Sequence, residues 1–263
     1  MSLRASSALL TVFLLSCPGA AAAAEPPALA KARALYNAAD YDGAIDAAAL
    51  ARAQPAAADA AALVTARSHL ERYRLRGDVA DLTTAREALS IVRASMLPPR
   101  DQVDHLVGIG QSLYLGNTFG AAAEVFDGAL AKGALLSHRD RLMLLDWWAS
   151  ALDREAQGRP QDRRLPAYER IASRMEEELR QDPGSAPANY WLAAASRGTG
   201  DLDRAWSSAV AGWVRARLSP DTAEKLRSDL DRLVTQALVP ERARTKPARD
   251  PQLEWEQTKQ QWP

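Results

Sequence analysis

The sequence predicts an all-α protein in which antiparallel helix pairs stack into an elongated solenoid, and three observations carry that prediction. Apolar residues recur at three- and four-residue spacing almost throughout, the period of a helix with one buried face. Two-residue alternation of β-branched residues, which would mark strands, is missing. The short interruptions are turn-formers: Asp40-Tyr41-Asp42-Gly43, Gly77-Asp78, Pro98-Pro99, Gly116-Asn117, Asp182-Pro183-Gly184 and Gly198-Thr199-Gly200-Asp201. Each supplies a helix stop or a cap for the next helix.

In chain order, residues 1–24 have the form of a secretory leader. Arg4 precedes the apolar stretch Ala8 to Leu15, and a small-residue tract ends at Ala22-Ala23-Ala24 before Glu25. The apolar stretch is well short of the roughly 20 residues that a membrane-spanning helix needs. Ala22 and Ala24 are the small side chains that favour a cut before Glu25. Leu14-Leu15-Ser16-Cys17 offers a rival cut, because it resembles the lipoprotein motif in which the cysteine, here Cys17, becomes the lipid-modified first residue. Either route predicts export, to the periplasm or as a lipoprotein on the membrane.

Residues 1–24 hold one arginine and no carboxylate, so the remainder carries 32 basic and 33 acidic side chains and a formal charge of −1. That balance gives no electrostatic reason to expect nucleic acid or an anionic membrane surface as partner. Membrane contact is expected only through an anchor at Cys17. With the single cysteine in the leader, a cut before Glu25 removes disulfide, thiolate and cysteine–metal chemistry, and packing must supply stability. Lysine occurs only at Lys31, Lys132, Lys225, Lys246 and Lys259 against many arginines, and alanine is abundant. This composition reads as GC-rich coding, or alternatively as an arginine-lined groove for acidic ligands.

Residues 25–239 form the predicted repeat domain. In Leu106, Ile109, Gly110, Leu113, Asn117, Phe119, Ala122, Phe126 and Ala129, small residues at Gly110 and Ala122 let helices approach closely. Large ones at Leu106, Phe119 and Phe126 fill the wedge toward the next pair. The same layout appears at Lys31, Ala32, Leu35, Tyr41, Ala44, Ala48, Ala51 and Pro55. It returns at Leu192, Ala193, Gly200, Leu202, Ala205, Ala209 and Gly212. On these residues the chain resembles the tetratricopeptide repeat, a 34-residue helix-turn-helix unit, over about 25–58, 103–136 and 186–219. The resemblance implies a right-handed α-α superhelix of about five helix pairs. Residues 59–99 depart from the register through a long first helix at Ala66, Leu70 and Tyr73. In the fourth unit, whose first helix runs from about His138 to Ala156, the polar linker Gly158-Arg159-Pro160-Gln161-Asp162-Arg163-Arg164 is expected to project. A helix over Pro220 to Leu238 caps the array, since an open last repeat would expose its apolar face. Residues 240–263 read as a charged, proline-broken tail with a short helix around Pro251 to Trp262.

The residues that could carry chemistry are sparse. His69, His105 and His138 fall in different helix pairs and read as partly buried helix histidines, not as metal ligands. Asp40, Asp42 and Gly43 read as a turn, because Ala51 stands where a calcium loop would need glutamate. Gly108 and Gly110 lie inside a helix with no preceding strand, so close packing explains them better than phosphate binding. No Gly-Lys-Ser/Thr, His-Glu-x-x-His or Gly-x-Ser-x-Gly occurs. Glu176-Glu177-Glu178 is expected largely on a solvated face, with Ile171, Met175 and Leu179 buried. Trp147, Trp148, Trp191, Trp206 and Trp213 are expected as core filler. No catalytic residue, cofactor or metal is assigned.

The repeat resemblance implies a concave groove lined by the first helix of each pair, in which a peptide segment docks. Mapped onto the well-matched units, its positions are Leu29, Arg33 and Tyr36, then Asp104, Val107, Gln111 and Tyr114, then Tyr190, Ala194 and Arg197. Tyrosine, arginine and aliphatic residues suit peptide recognition, and a merely solvated inner face is the alternative. Trp255 and Trp262 either fold back on the solenoid, which is preferred, or form a recognition helix for a partner. The function these features predict is an envelope scaffold or adaptor that binds a protein or peptide partner. The alternative is an enzyme acting on cell-wall glycan, or its accessory subunit, although no segment is left over to build a catalytic lobe.

Overall fold

The computed structural model describes residues 25–245 and 250–263. The predicted leader, its cleavage positions and Cys17 lie outside these residues. Every regular element among the described residues is a helix.

Five consecutive helix pairs come first. They are α1 (Pro27–Asn37) with α2 (Tyr41–Arg52), α3 (Ala58–Arg76) with α4 (Val79–Ser90), α5 (Pro99–Leu115) with α6 (Phe119–Leu130), α7 (His138–Gln157) with α8 (Leu165–Gln181), and α9 (Ala186–Gly198) with α10 (Leu202–Arg215). In four of the pairs the turn contains one residue in the left-handed region: Ala39 at φ 61°, Gly77 at 72°, Asn117 at 61° and Gly200 at 84°. Such a residue ends a helix by redirecting the chain. In three of these turns an aspartate follows at once and caps the next helix, accepting from the Gly43, Ala80 or Arg204 backbone N–H through Asp40, Asp78 or Asp201. The fourth pair lacks this device, and its linker 158–163 is exposed.

Proline opens α1 and α5, where a missing N–H costs nothing. Each helix packs on its neighbour in sequence, and the odd-numbered helices also touch one another. α1, α3 and α5 do so in order, as do α7, α9 and α11 (Pro220–Leu233). α5 joins α7 through side chains: the Tyr114 ring lies 4.9 Å from that of Trp147, and the Tyr114 hydroxyl is 2.8 Å from Ser150 Oγ.

Buried apolar side chains form three clusters ordered along the chain, spanning Leu29 to Leu97, Val103 to Ala195 and Ala193 to Trp255. Alanine makes this packing close, with Ala44, Ala48, Ala51, Ala122 and Ala129 all fully buried. At Gly110 the Phe126 ring comes so near that a Cβ would sit 2.5 Å from it. Trp148 and Trp191 are buried, and Trp147, Trp206 and Trp213 are half-buried.

Three features differ from the sequence reading. The first helices of successive units start at residues 27, 58, 99, 138, 186 and 220, so their spacing runs from 31 to 48 residues and holds no fixed 34-residue period. Glu178 is not on a solvated face. It is buried and paired with Arg141, which donates through Nε at 2.9 Å and Nη2 at 2.5 Å; a bidentate guanidinium satisfies both carboxylate oxygens. The capping helix does not stop before Pro240 but continues through a π-helical stretch (Val234–Leu238) into α12 (Val239–Thr245). Proline removes one helix hydrogen bond and crowds the carbonyl four residues earlier, and a locally wider turn accommodates both.

The tail helix α13 (Pro251–Gln261) folds back on α10 and α11. Trp255 is fully buried, edge-on to Trp206 and Trp213 with ring centres 6.0 and 5.3 Å away. Its indole N–H donates to Asp231, 2.8 Å away, which also receives Lys259 at 3.0 Å. Hydrogen bonding and the ammonium charge hold the Asp231 carboxyl below the usual carboxylate range although burial opposes it. The Trp262 carbonyl accepts from Trp213 Nε1 at 2.8 Å, and the Arg217 guanidinium lies 5.0 Å from the Trp262 ring.

Candidate functional site

Two clefts of similar size open along the odd-numbered helices, beside a smaller one of about 230 Å³ at the α1, α3 and α5 starts. The first, of about 310 Å³, lies among α1, α3, α5 and the start of α7. Its walls are charged. Arg33 donates to both oxygens of Asp101, at 3.1 and 2.6 Å. Arg67 donates to Asp104 at 3.0 Å while its guanidinium stacks 4.6 Å from the Tyr36 ring centre. Arg100 donates to Asp140 at 2.8 Å and lies 3.2 Å from Asp104. Three arginines and three aspartates alternate across helices more than 30 residues apart in sequence.

Burial raises the Asp104 carboxyl above its usual range against the pull of Arg67 and Arg100. Burial acts the same way on Asp140, but hydrogen bonds from Ser137 and Arg100 together with the Arg100 charge prevail and hold it low. Burial raises the Tyr36 hydroxyl, opposed by Arg67. Positive and negative groups in this cleft are matched, so it presents ordered polar pairs with no charge left over. Removing one partner of such a pair leaves the other desolvated and uncompensated.

The second cleft, also about 310 Å³, lies among α7, α9 and α11 and is mostly apolar. Leu142, Met143, Pro187, Tyr190 and Leu226 line it, with Asp146, Lys225 and Asp229 at its polar edges. Met143 is 40% exposed, a large share for an apolar side chain. Asp146 accepts from Trp191 Nε1 at 2.8 Å, and Lys225 reaches Asp229 at 2.6 Å. Burial raises the Tyr190 hydroxyl, and the charges of Asp229, Asp153 and Asp146 push it the same way.

The sequence-predicted groove residues divide among these surroundings. Arg33, Tyr36 and Asp104 meet in the first cleft and Tyr190 lines the second. Leu29, Val107 and Gln111 are buried between helices and offer a guest almost no surface. Tyr114 is held by Phe119, Trp147 and Ser150. Ala194 is half-buried, and Arg197 donates to Glu241 on α12 at 2.6 Å. Trp255 and Trp262 belong to the docked tail.

Sequence reading missed Arg67, Arg100, Asp140, Met143 and Leu226. Arg67 lies on α3, where the repeat register fails, so no groove position could be mapped there. Arg100 and Asp140 are legible only as polar residues opening a first helix of a pair.

His69 is half-buried and His105 buried, as the sequence suggests, whereas His138 is exposed. His69 Nδ1 is 2.7 Å from Asp81, which Arg72 also approaches at 3.1 Å, and His105 Nε2 is 3.2 Å from the Leu89 carbonyl. His138 lies 3.8 Å from Asp182. Among the described residues no three His, Cys, Asp or Glu side chains gather as a metal site would require, and no helix is long and apolar enough to cross a membrane. Comparison of the chain with family models, with curated proteins and with solved structures finds no match in any of the three.

Proposed function

We propose that this protein is a scaffold of the cell envelope, a right-handed solenoid of tetratricopeptide-like helix pairs whose odd-numbered helices hold a segment of a partner protein. The observation that carries this reading is the placement of both clefts. They open on the same row of helices, where the first helix of each pair would line a concave surface, and α7 contributes to both. The three ordered apolar clusters fit the same picture, since a stack of repeats buries its core unit by unit. Arginine and tyrosine, which tend to dominate binding at protein interfaces, stand in the first cleft, and an exposed methionine marks the second. Export to the periplasm, or lipid attachment at Cys17, rests on the sequence of residues 1–24 alone.

Photo-crosslinking in living cells tests the reading. A benzophenone side chain at Met143 in the second cleft is expected to give a discrete partner adduct. The same group at Leu50, 71% exposed on α2, is expected to give none. Equal labelling from both positions would remove the case for a groove.

A further inference from the structure

The second cleft has a chemical character that the first lacks, and it narrows the kind of segment that fits. Its floor is apolar, from Leu142, Met143, Pro187 and Leu226. Among the residues that line it, two carboxylates, Asp146 from α7 and Asp229 from α11, stand against one cation, Lys225, with Arg232 just outside at 3.7 Å from Asp229. Asp146 is exposed and gives an oxygen to Trp191 Nε1, and among the described residues it forms no ion pair. Asp229 is partnered by Lys225, one turn earlier on the same helix, and more distantly by Arg232 at 3.7 Å. Lys225 is 81% exposed, and such a surface pair is weak and readily exchanged. Tyr190, between the two walls, is raised by burial and then by Asp229, Asp153 and Asp146, with Arg232 opposing them.

We infer that the second cleft takes an apolar peptide segment flanked by lysine or arginine, its aliphatic side chains lying on Met143 and Leu226 and its cations meeting Asp146 and Asp229. The guest cation displaces Lys225 from Asp229 without breaking any buried pair of the protein. In the first cleft each arginine already holds its aspartate, so a charged guest there would have to break an existing ion pair. This inference rests on the groove reading above and adds a partner class to it.

The test uses the purified chain carrying a benzophenone at position 143 and three fluorescein-labelled decapeptides. They share a Leu-Ala-Leu-Leu core flanked on each side by lysines, glutamates or glutamines. The expected result is crosslinking and binding of the lysine-flanked peptide about tenfold tighter than the glutamate-flanked one, weakening as salt is raised to about 0.5 M. Asp229→Asn and Asp146→Asn are each expected to weaken that binding severalfold, and Lys225→Ala to strengthen it. If the glutamate- or glutamine-flanked peptide crosslinks and binds at least as tightly, the basic class is wrong while the docking surface stands. If the lysine-flanked peptide binds but the two aspartate variants leave it unchanged, the charge assignment is wrong. If no peptide crosslinks at position 143, the cleft is not a docking surface and both readings fall there.

Discussion

Gly110 and Gly198 each let an aromatic ring lie directly on a helix backbone. A Cβ at Gly110 would meet Phe126 at 2.5 Å, and one at Gly198 would meet Tyr168 at the same distance. Phe126 is fully buried and has no free space to retreat into, so Gly110→Ala is expected to destabilise the fold by about 1–3 kcal/mol, the usual cost of overpacking. Denaturant unfolding monitored by circular dichroism reads that loss directly. Tyr168 gives a second test. Burial and the neighbouring Asp153, which accepts its hydroxyl at 3.1 Å, raise the phenol to about 12. In the unfolded chain it ionises near its ordinary value of about 10. The stability tied to its proton is therefore complete below about pH 10 and is lost as pH rises toward about 12. Ultraviolet titration is expected to show a phenol that ionises only near pH 12 and that is missing from the titration of Tyr168→Phe. A full set of tyrosines ionising together near pH 10 would contradict the buried hydrogen bond.

The helix pairs were largely legible because their punctuation is local. Gly77, Asn117 and Gly200 take the left-handed turn conformation, and Asp40, Asp78 and Asp201 cap the helices that follow, all of it chemistry that single residue types announce. Less legible were features set by distant partners. Glu178 sits in a run of three glutamates that reads as solvated, yet Arg141 from the preceding helix draws it inside. Pro240 reads as a helix end, yet the π-helical stretch before it lets the chain run on to Thr245. The largest buried contact of the tail helix is Trp255. Trp255→Ala would empty the space between Trp206 and Trp213, at a cost of about 3–5 kcal/mol for a large buried aromatic, and would strip Asp231 of one donor. The expected outcome is release of residues 250–263 with α1 to α10 intact. Limited proteolysis followed by mass determination would show early loss of the tail, and an unchanged digestion pattern would mean that α13 is held by other contacts.

At the level of the whole molecule, the positions of the clefts depend on how successive pairs stack, and a sequence states that only through its repeat period. Here the period drifts between units, so groove positions mapped from an even repeat fell partly on Arg33, Tyr36, Asp104 and Tyr190 in the clefts and partly on Leu29, Val107 and Gln111 in the interior. Arg67 and Met143, on the units that depart from the repeat, were beyond its reach. The first cleft pairs its arginines with aspartates and the second carries Asp146 and Asp229 against Lys225 on its lining, so the guest is expected to lie along the odd-numbered row and not across the even-numbered helices. Hydrogen–deuterium exchange on the chain with and without the partner segment captured at Met143 measures this most directly. Slowed exchange in α7, α9 and α11, with α2, α4 and α6 unchanged, is the predicted result; protection confined to the even-numbered helices would contradict a docking groove on the odd-numbered ones.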